Sequence, residues 1–87
     1  MLTEREVFLY EQLQDKLIEE TTEQNYLGII MSMQAHENVS ALDVSMYIAE
    51  ISSRKYSGLK EIILPLLEKE TDADVIEDLE IALKNLD

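Results

Sequence analysis

The sequence predicts an all-α fold, a small antiparallel bundle of about five helices forming a single domain over residues 1–87. Three observations carry this. Gly28, Gly58 and Pro65 are the chain's whole supply of glycine and proline, too few for the tight turns of a strand meander. Helix-capping signals recur at intervals of one helix and one turn. Between them apolar residues return every three or four positions, which is the helical period and not the alternation of a strand.

Thr3 with Glu6 forms a capping box, and Leu2 and Val7 flank it as a hydrophobic staple, so a first helix is expected from Glu4 to about Glu20. Its apolar stripe is Val7, Tyr10, Leu13 and Leu17, with Glu4, Glu11, Asp15 and Glu19 off it. Thr21 with Gln24 makes a weaker box for a second helix through Tyr26. That helix carries Tyr26, Ile29, Ile30 and Met33 on one face, and Leu27 and Met31 widen its apolar surface. Ser40 and Asp43 form a second full box, with Val39 and Val44 as the staple, for a third helix. Here Ala41, Val44, Ile48 and Ile51 line one side and Leu42, Met46 and Ala49 the other, the pattern of a central helix, with Leu42 and Met46 either buried between neighbours or exposed as binding candidates. Ser57 is the expected cap of a fourth helix starting at Gly58 and carrying Leu59, Ile62, Ile63, Leu66 and Leu67. Pro65 falls inside this pattern, so a kinked helix is expected, the alternative being a helix that ends at Leu64 and restarts. Thr71 or Asp72 caps a fifth helix from about Ala73, whose stripe is Val75, Leu79, Ala82, Leu83 and Leu86.

Leu59 to Leu86 therefore gives an apolar helix with an internal proline, a short acidic turn from Thr71 to Asp74, and a helix opening on Val75. This third of the chain resembles one HEAT-like repeat, a pair of antiparallel helices. The basic residue that often follows the valine in that family is Ile76 here, and the turn before Val75 is shorter than usual. An earlier, degenerate copy runs from Tyr26 to Ile51, with Val44, Ile48 and Ile51 placed like Val75, Leu79 and Ala82. The resemblance implies a two-repeat HEAT-like helical-hairpin array, with the plain bundle as the alternative. Two repeats are fewer than a solenoid normally needs, so the first helix would act as a cap or the chain would self-associate.

Composition bounds the function. A net charge of −12 with an apolar fraction of 46% describes a folding chain that is strongly anionic. The absence of cysteine removes disulfides and thiolate metal sites, and one histidine is too few for a His-rich metal site. No apolar run approaches the ~20 residues of a membrane span, and the charged start Thr3–Glu4–Arg5–Glu6 is not a secretory leader, so a cytoplasmic protein without membrane association is expected. Glu70, Asp72, Asp74, Glu77 and Asp78 do not make a calcium loop. Counted from Asp72, the glycine and glutamate positions hold Glu77 and Leu83; counted from Glu70 they hold Val75 and Ile81. The helical di-metal signature Glu-x-x-His is missing, because Met33 stands at that spacing before His36. His36 beside Ser32, Ser40 or Asp43 has no glycine-bearing turn to supply an oxyanion hole, and its expected role is at a helix C-terminus. The expectation is a non-enzyme with no cofactor and no metal. Nucleic acid is not an expected ligand, since the only basic grouping is Arg54, Lys55 and Lys60 around Tyr56. That trio suits the end of the third helix, or the complementary half of a homodimer contact. The four methionines, Met1, Met31, Met33 and Met46, read mostly as adaptable core filler.

The acidic surface is the positive signal. Around the fifth helix the core stripe leaves Glu77, Glu80, Ile81 and Lys84 facing outward, and an isoleucine among carboxylates has the composition of a small hot spot with a charged rim. The predicted partner-binding residues are Asp72, Asp74, Glu77, Asp78, Glu80 and Ile81, with Leu42 and Met46 as further candidates. The sequence thus predicts an acidic interaction module, an immunity or inhibitor protein that occludes the nucleic-acid-binding surface of a basic partner such as a nuclease toxin. The alternative is a structural or regulatory subunit that forms an obligate oligomer through the apolar faces of the second and third helices.

Overall fold

The structure is a computed structural model that describes residues 16–87. Among the described residues it is all-helical and without strands, with helix at 16–20 (α1), Tyr26–Ala35 (α2), Ala41–Ser52 (α3), Leu59–Lys69 (α4) and Ala73–Leu86 (α5). The expected cap and staple at Leu2, Thr3, Glu6 and Val7, the apolar positions Tyr10 and Leu13, and Met1 lie outside the described residues.

The helix starts follow local chemistry. At α3 the capping box closes in both directions: Ser40 Oγ accepts from the Asp43 N–H at 3.2 Å, and Asp43 Oδ2 accepts from the Ser40 N–H at 3.0 Å. At α5 Asp72 Oδ1 accepts from the Asp74 N–H at 2.9 Å. Two expected caps are corrected. Thr21 does not box with Gln24; its hydroxyl donates back to Leu17 O, as a threonine at a helix end often does, and α2 instead starts after Asn25. Asn25 Oδ1 accepts from the Thr22 N–H at 2.7 Å while its Nδ2 donates to Glu20 O at 3.0 Å, so the amide organises the turn between α1 and α2. At α4 the N-cap is Gly58 and not Ser57, because the chain reverses there through a left-handed φ of 88° that suits glycine. His36 is the C-cap of α2, its Nδ1 accepting from the Asn38 N–H at 3.1 Å.

Pro65 sits inside one uninterrupted helix, so α4 does not end at Leu64. Pro65 and Glu61, whose carbonyl the proline leaves without a donor, are both exposed, and water can take the missing partner's place.

The core is built from Tyr26, Ile30 and Met33 of α2, Val44, Tyr47, Ile48 and Ile51 of α3, Leu59 and Ile63 of α4, and Val75, Leu79 and Ala82 of α5. All six positions related by the repeat spacing, Val44, Ile48, Ile51, Val75, Leu79 and Ala82, are thus buried. In space α3 lies between α2 and α5, and α4 packs on α5. The third helix is central in that sense, yet Leu42 and Met46 are not buried between neighbours. Met31 on α2 is likewise exposed, so of the methionines named as core filler only Met33 is a core residue among those described.

Candidate functional site

The site grows from the seam between α3 and α5. Ser45 is buried, and its hydroxyl, bonded to Leu42 O at 2.8 Å, also reaches Asp78 Oδ2 at 3.2 Å. Two turns on, Ser52 Oγ donates to Ala49 O at 2.6 Å and accepts from Asn85 Nδ2 at 3.0 Å. Both cross-links span 33 residues. Equal offsets in the same direction mean that α3 and α5 run parallel, with α4 returning the chain between them.

The helical period then fixes which side chains share a face. On one side of the seam lie the core residues Val44 and Ile48 of α3 and Leu79 and Ala82 of α5. On the other side, the next positions around α3 from Ser45 and Ser52 are Ala49, Leu42 and Met46. Those around α5 from Asp78 and Asn85 are Ile81 and Asp74. Leu42 and Met46 are 37% and 46% exposed, and Ile81 is 44% exposed, so three large apolar side chains from two helices share one solvent-facing side of the seam. Single exposed apolar residues are ordinary, whereas three on one face form a patch.

The six predicted binding residues divide. Asp74, Glu77 and Glu80 are exposed; Asp74 lies two turns before Ile81 on its seam side, and Glu77 lies one turn before Ile81 on its outward side. Asp72 is engaged as the α5 cap, and Asp78 is half-buried against Ser45. These two hold the helix in place, which leaves Asp74, Glu77, Glu80 and Ile81 as the remaining candidates. In the sequence Leu42 and Met46 are candidates on another helix, with nothing to place them on the same side as Ile81. Seam position and parallel orientation join them, and the one trace of this in the sequence is the pair of serines at Ser45 and Ser52 matched by Asp78 and Asn85 at the same separation.

The basic trio has a structural role at Arg54. Its guanidinium donates to Ile18 O and Thr21 O, both at 3.0 Å, and to Tyr56 Oη at 2.9 Å, which places it over the C-terminal carbonyls of α1. Tyr56 Oη donates to Thr21 O at 3.2 Å, and its ring stacks on Tyr26 at 5.2 Å between centroids. Tyr26 Oη donates to Ser57 O at 2.7 Å, and Glu23 accepts from the Ser57 N–H at 3.0 Å. Because the Thr21 hydroxyl's hydrogen goes to Leu17 O, Tyr47 Oη is the donor in the buried Thr21–Tyr47 pair. Burial raises the Tyr47 hydroxyl's pKa. It also raises that of Tyr26, with Glu61 and Glu23 adding to the effect.

Among the described residues no group of three or more histidine, cysteine, aspartate or glutamate side chains is placed to hold a metal ion, and no helix is long and apolar enough to cross a membrane. Comparison with known protein families, curated proteins and solved structures finds no match for this chain.

Proposed function

We propose that the chain is an acidic, non-enzymatic docking module that works by affinity, covering a basic surface on another protein. The observation that supports this best is the face shared by α3 and α5: Leu42, Met46 and Ile81 exposed on the same side of the seam, with Asp74 and Glu77 on the α5 part of it. An apolar centre supplies residence time, and a carboxylate rim on a chain of net charge −12 supplies steering toward cations. The partner chemistry that fits is a nucleic-acid-binding surface, where lysine and arginine await phosphates. An immunity or inhibitor protein acting on a nuclease in the cytoplasm has this requirement, since it must occlude such a surface with a small acidic chain.

The test uses the purified chain as bait at about 0.05 M and about 0.5 M salt, alongside Ile81→Asp and Leu42→Asp as folded controls. A basic protein retained by the parent at low salt, released at high salt and lost by both variants is the expected result. A protein held equally by all three baits, or held regardless of salt, would contradict the reading.

A second reading rests on Leu27 and Met31, one turn apart on α2 and both exposed, together with Leu42 and Met46 on α3. A structural or regulatory subunit burying these faces would be an obligate oligomer, homodimeric in the simplest case. Sedimentation of the isolated chain separates the two, because an oligomer that persists at high salt belongs to the second.

A further inference from the structure

At the end of the molecule where α3 and α5 begin, the structure holds a cleft of about 190 Å³. Val44, Val75 and Leu79, with Ser45 whose hydroxyl is taken up by Leu42 O and Asp78, are the buried part of its lining; half-buried Val39 and Leu66 and exposed Gln34 and Ser40 also line it, and Glu70 is its one charged residue. The Glu70 carboxylate is held there, since Oε1 accepts from the Thr71 and Asp72 N–H groups, both at 3.0 Å. A carboxylate has lone pairs to spare after two such bonds. Size decides what enters: a cavity of about 150 Å³ with apolar walls already admits a benzene ring, so this one admits the body of a single side chain.

We propose that the cleft receives an arginine side chain of the basic partner, its methylene stem on the Val44–Val75–Leu79 floor and its guanidinium on Glu70. The inference rests on the docking reading for its partner, and it adds a second anchor away from the face that carries Ile81. Charge complementarity selects the occupant. An apolar floor with one fixed carboxylate at its edge matches a stem that prefers apolar surface and a planar cation that pairs with carboxylate in forked geometry, and Asp72 and Asp74 at the start of α5 add to the negative field.

The test is a methyl NMR titration of the full chain with n-butylguanidinium, 1-pentanol and hexanoate as probes. The expected result is shifts at the methyls of Val39, Val44, Leu66, Val75 and Leu79, with butylguanidinium binding roughly threefold to fivefold more tightly than pentanol, the range of a partly exposed ion pair. In Glu70→Gln, which keeps a carbonyl for the Thr71 and Asp72 N–H groups, that preference should vanish while pentanol binding stays. Equal binding of pentanol and butylguanidinium by the parent would assign the cleft to an uncharged side chain and overturn the proposal, as would the absence of cleft shifts. A partner that loses Ile81→Asp but binds Glu70→Gln as tightly as the parent would overturn the anchor and leave the docking reading intact.

Discussion

Gly58 and the buried tyrosines show how single residues set the local geometry. The φ of 88° at Gly58 lies where side chains are strained, and a Cβ there would meet Tyr26 Oη at 3.1 Å. Gly58→Ala is therefore expected to cost about 1–2 kcal/mol, read as a lowered urea midpoint. The shift should shrink in a Tyr26→Phe background, where the clashing oxygen is gone. An equal cost in both backgrounds would place the whole penalty in the backbone. Lys55 adopts a left-handed φ of 54° in the turn after α3 without being glycine, its N–H donating to Ser52 O at 3.0 Å. The tyrosine hydroxyls give a pH dependence of definite sign. Tyr26 and Tyr47 have pKa values raised in the folded chain, so the unfolded chain loses these protons first as pH climbs. Their contribution is complete below the ordinary tyrosine value of about 10 and is lost as pH rises through the folded-state values. Urea midpoints measured from neutral to strongly alkaline pH should fall above about pH 10, and the fall should be shallower in the Tyr26→Phe, Tyr47→Phe double variant. An unchanged alkaline slope in that variant would contradict the assignment.

Arg54 ties the end of α1 to the turn that follows α3, a link at the scale of whole elements. Arg54→Ala should destabilise the fold by about 1–2 kcal/mol and speed amide exchange around residues 16–20, because Ile18 O and Thr21 O lose a charged donor. Arg54→Lys should restore little, since an ammonium does not span two carbonyls and a phenol as a guanidinium does. Exchange in α1 that is indifferent to both variants would mean that other contacts hold the helix. How far the elements were legible in sequence follows from the range of the interactions that make them. The Ser40–Asp43 box and the Asp72 cap are contacts within three residues, so the starts of α3 and α5 were read from spacing. The α2 start was misread because Thr21 is drawn to Leu17 and Tyr47, and the latter is 26 residues away. The Gly58 cap was placed one residue early because the signal lay in a positive φ and not in a hydroxyl. Exposure of Leu42 and Met46 stays open in the sequence for a related reason. Periodicity reveals that α3 has two apolar sides, but whether a neighbour covers the second depends on tertiary packing, and α5 contacts the Ser45–Ser52 edge and not the Leu42–Met46 face.

Over the whole molecule the charge acts in two opposed ways. A chain of net charge −12 repels itself, so added salt should raise its melting temperature by screening that repulsion. If the docking proposal holds, the same salt should weaken the complex, because there the carboxylates would face cations. Opposite signs in the two experiments would separate a docking surface from acids that serve solubility alone, for which only the first effect exists. The outward residues Glu77, Glu80 and Ile81 were legible in sequence as a helical face. Their junction with Leu42 and Met46 was not, because it depends on the parallel orientation of α3 and α5 fixed by the Ser45–Asp78 and Ser52–Asn85 bonds. The most direct measurement is the binding kinetics of the retained basic partner with the parent chain, with the Glu77→Lys, Glu80→Lys double variant and with Ile81→Asp, each at low and physiological salt. An on-rate that drops about tenfold with salt and with charge reversal, and an off-rate that rises about tenfold in Ile81→Asp, is what an acidic rim around an apolar centre predicts. On-rates indifferent to salt and to the reversed charges, with an off-rate unmoved by Ile81→Asp, would contradict it.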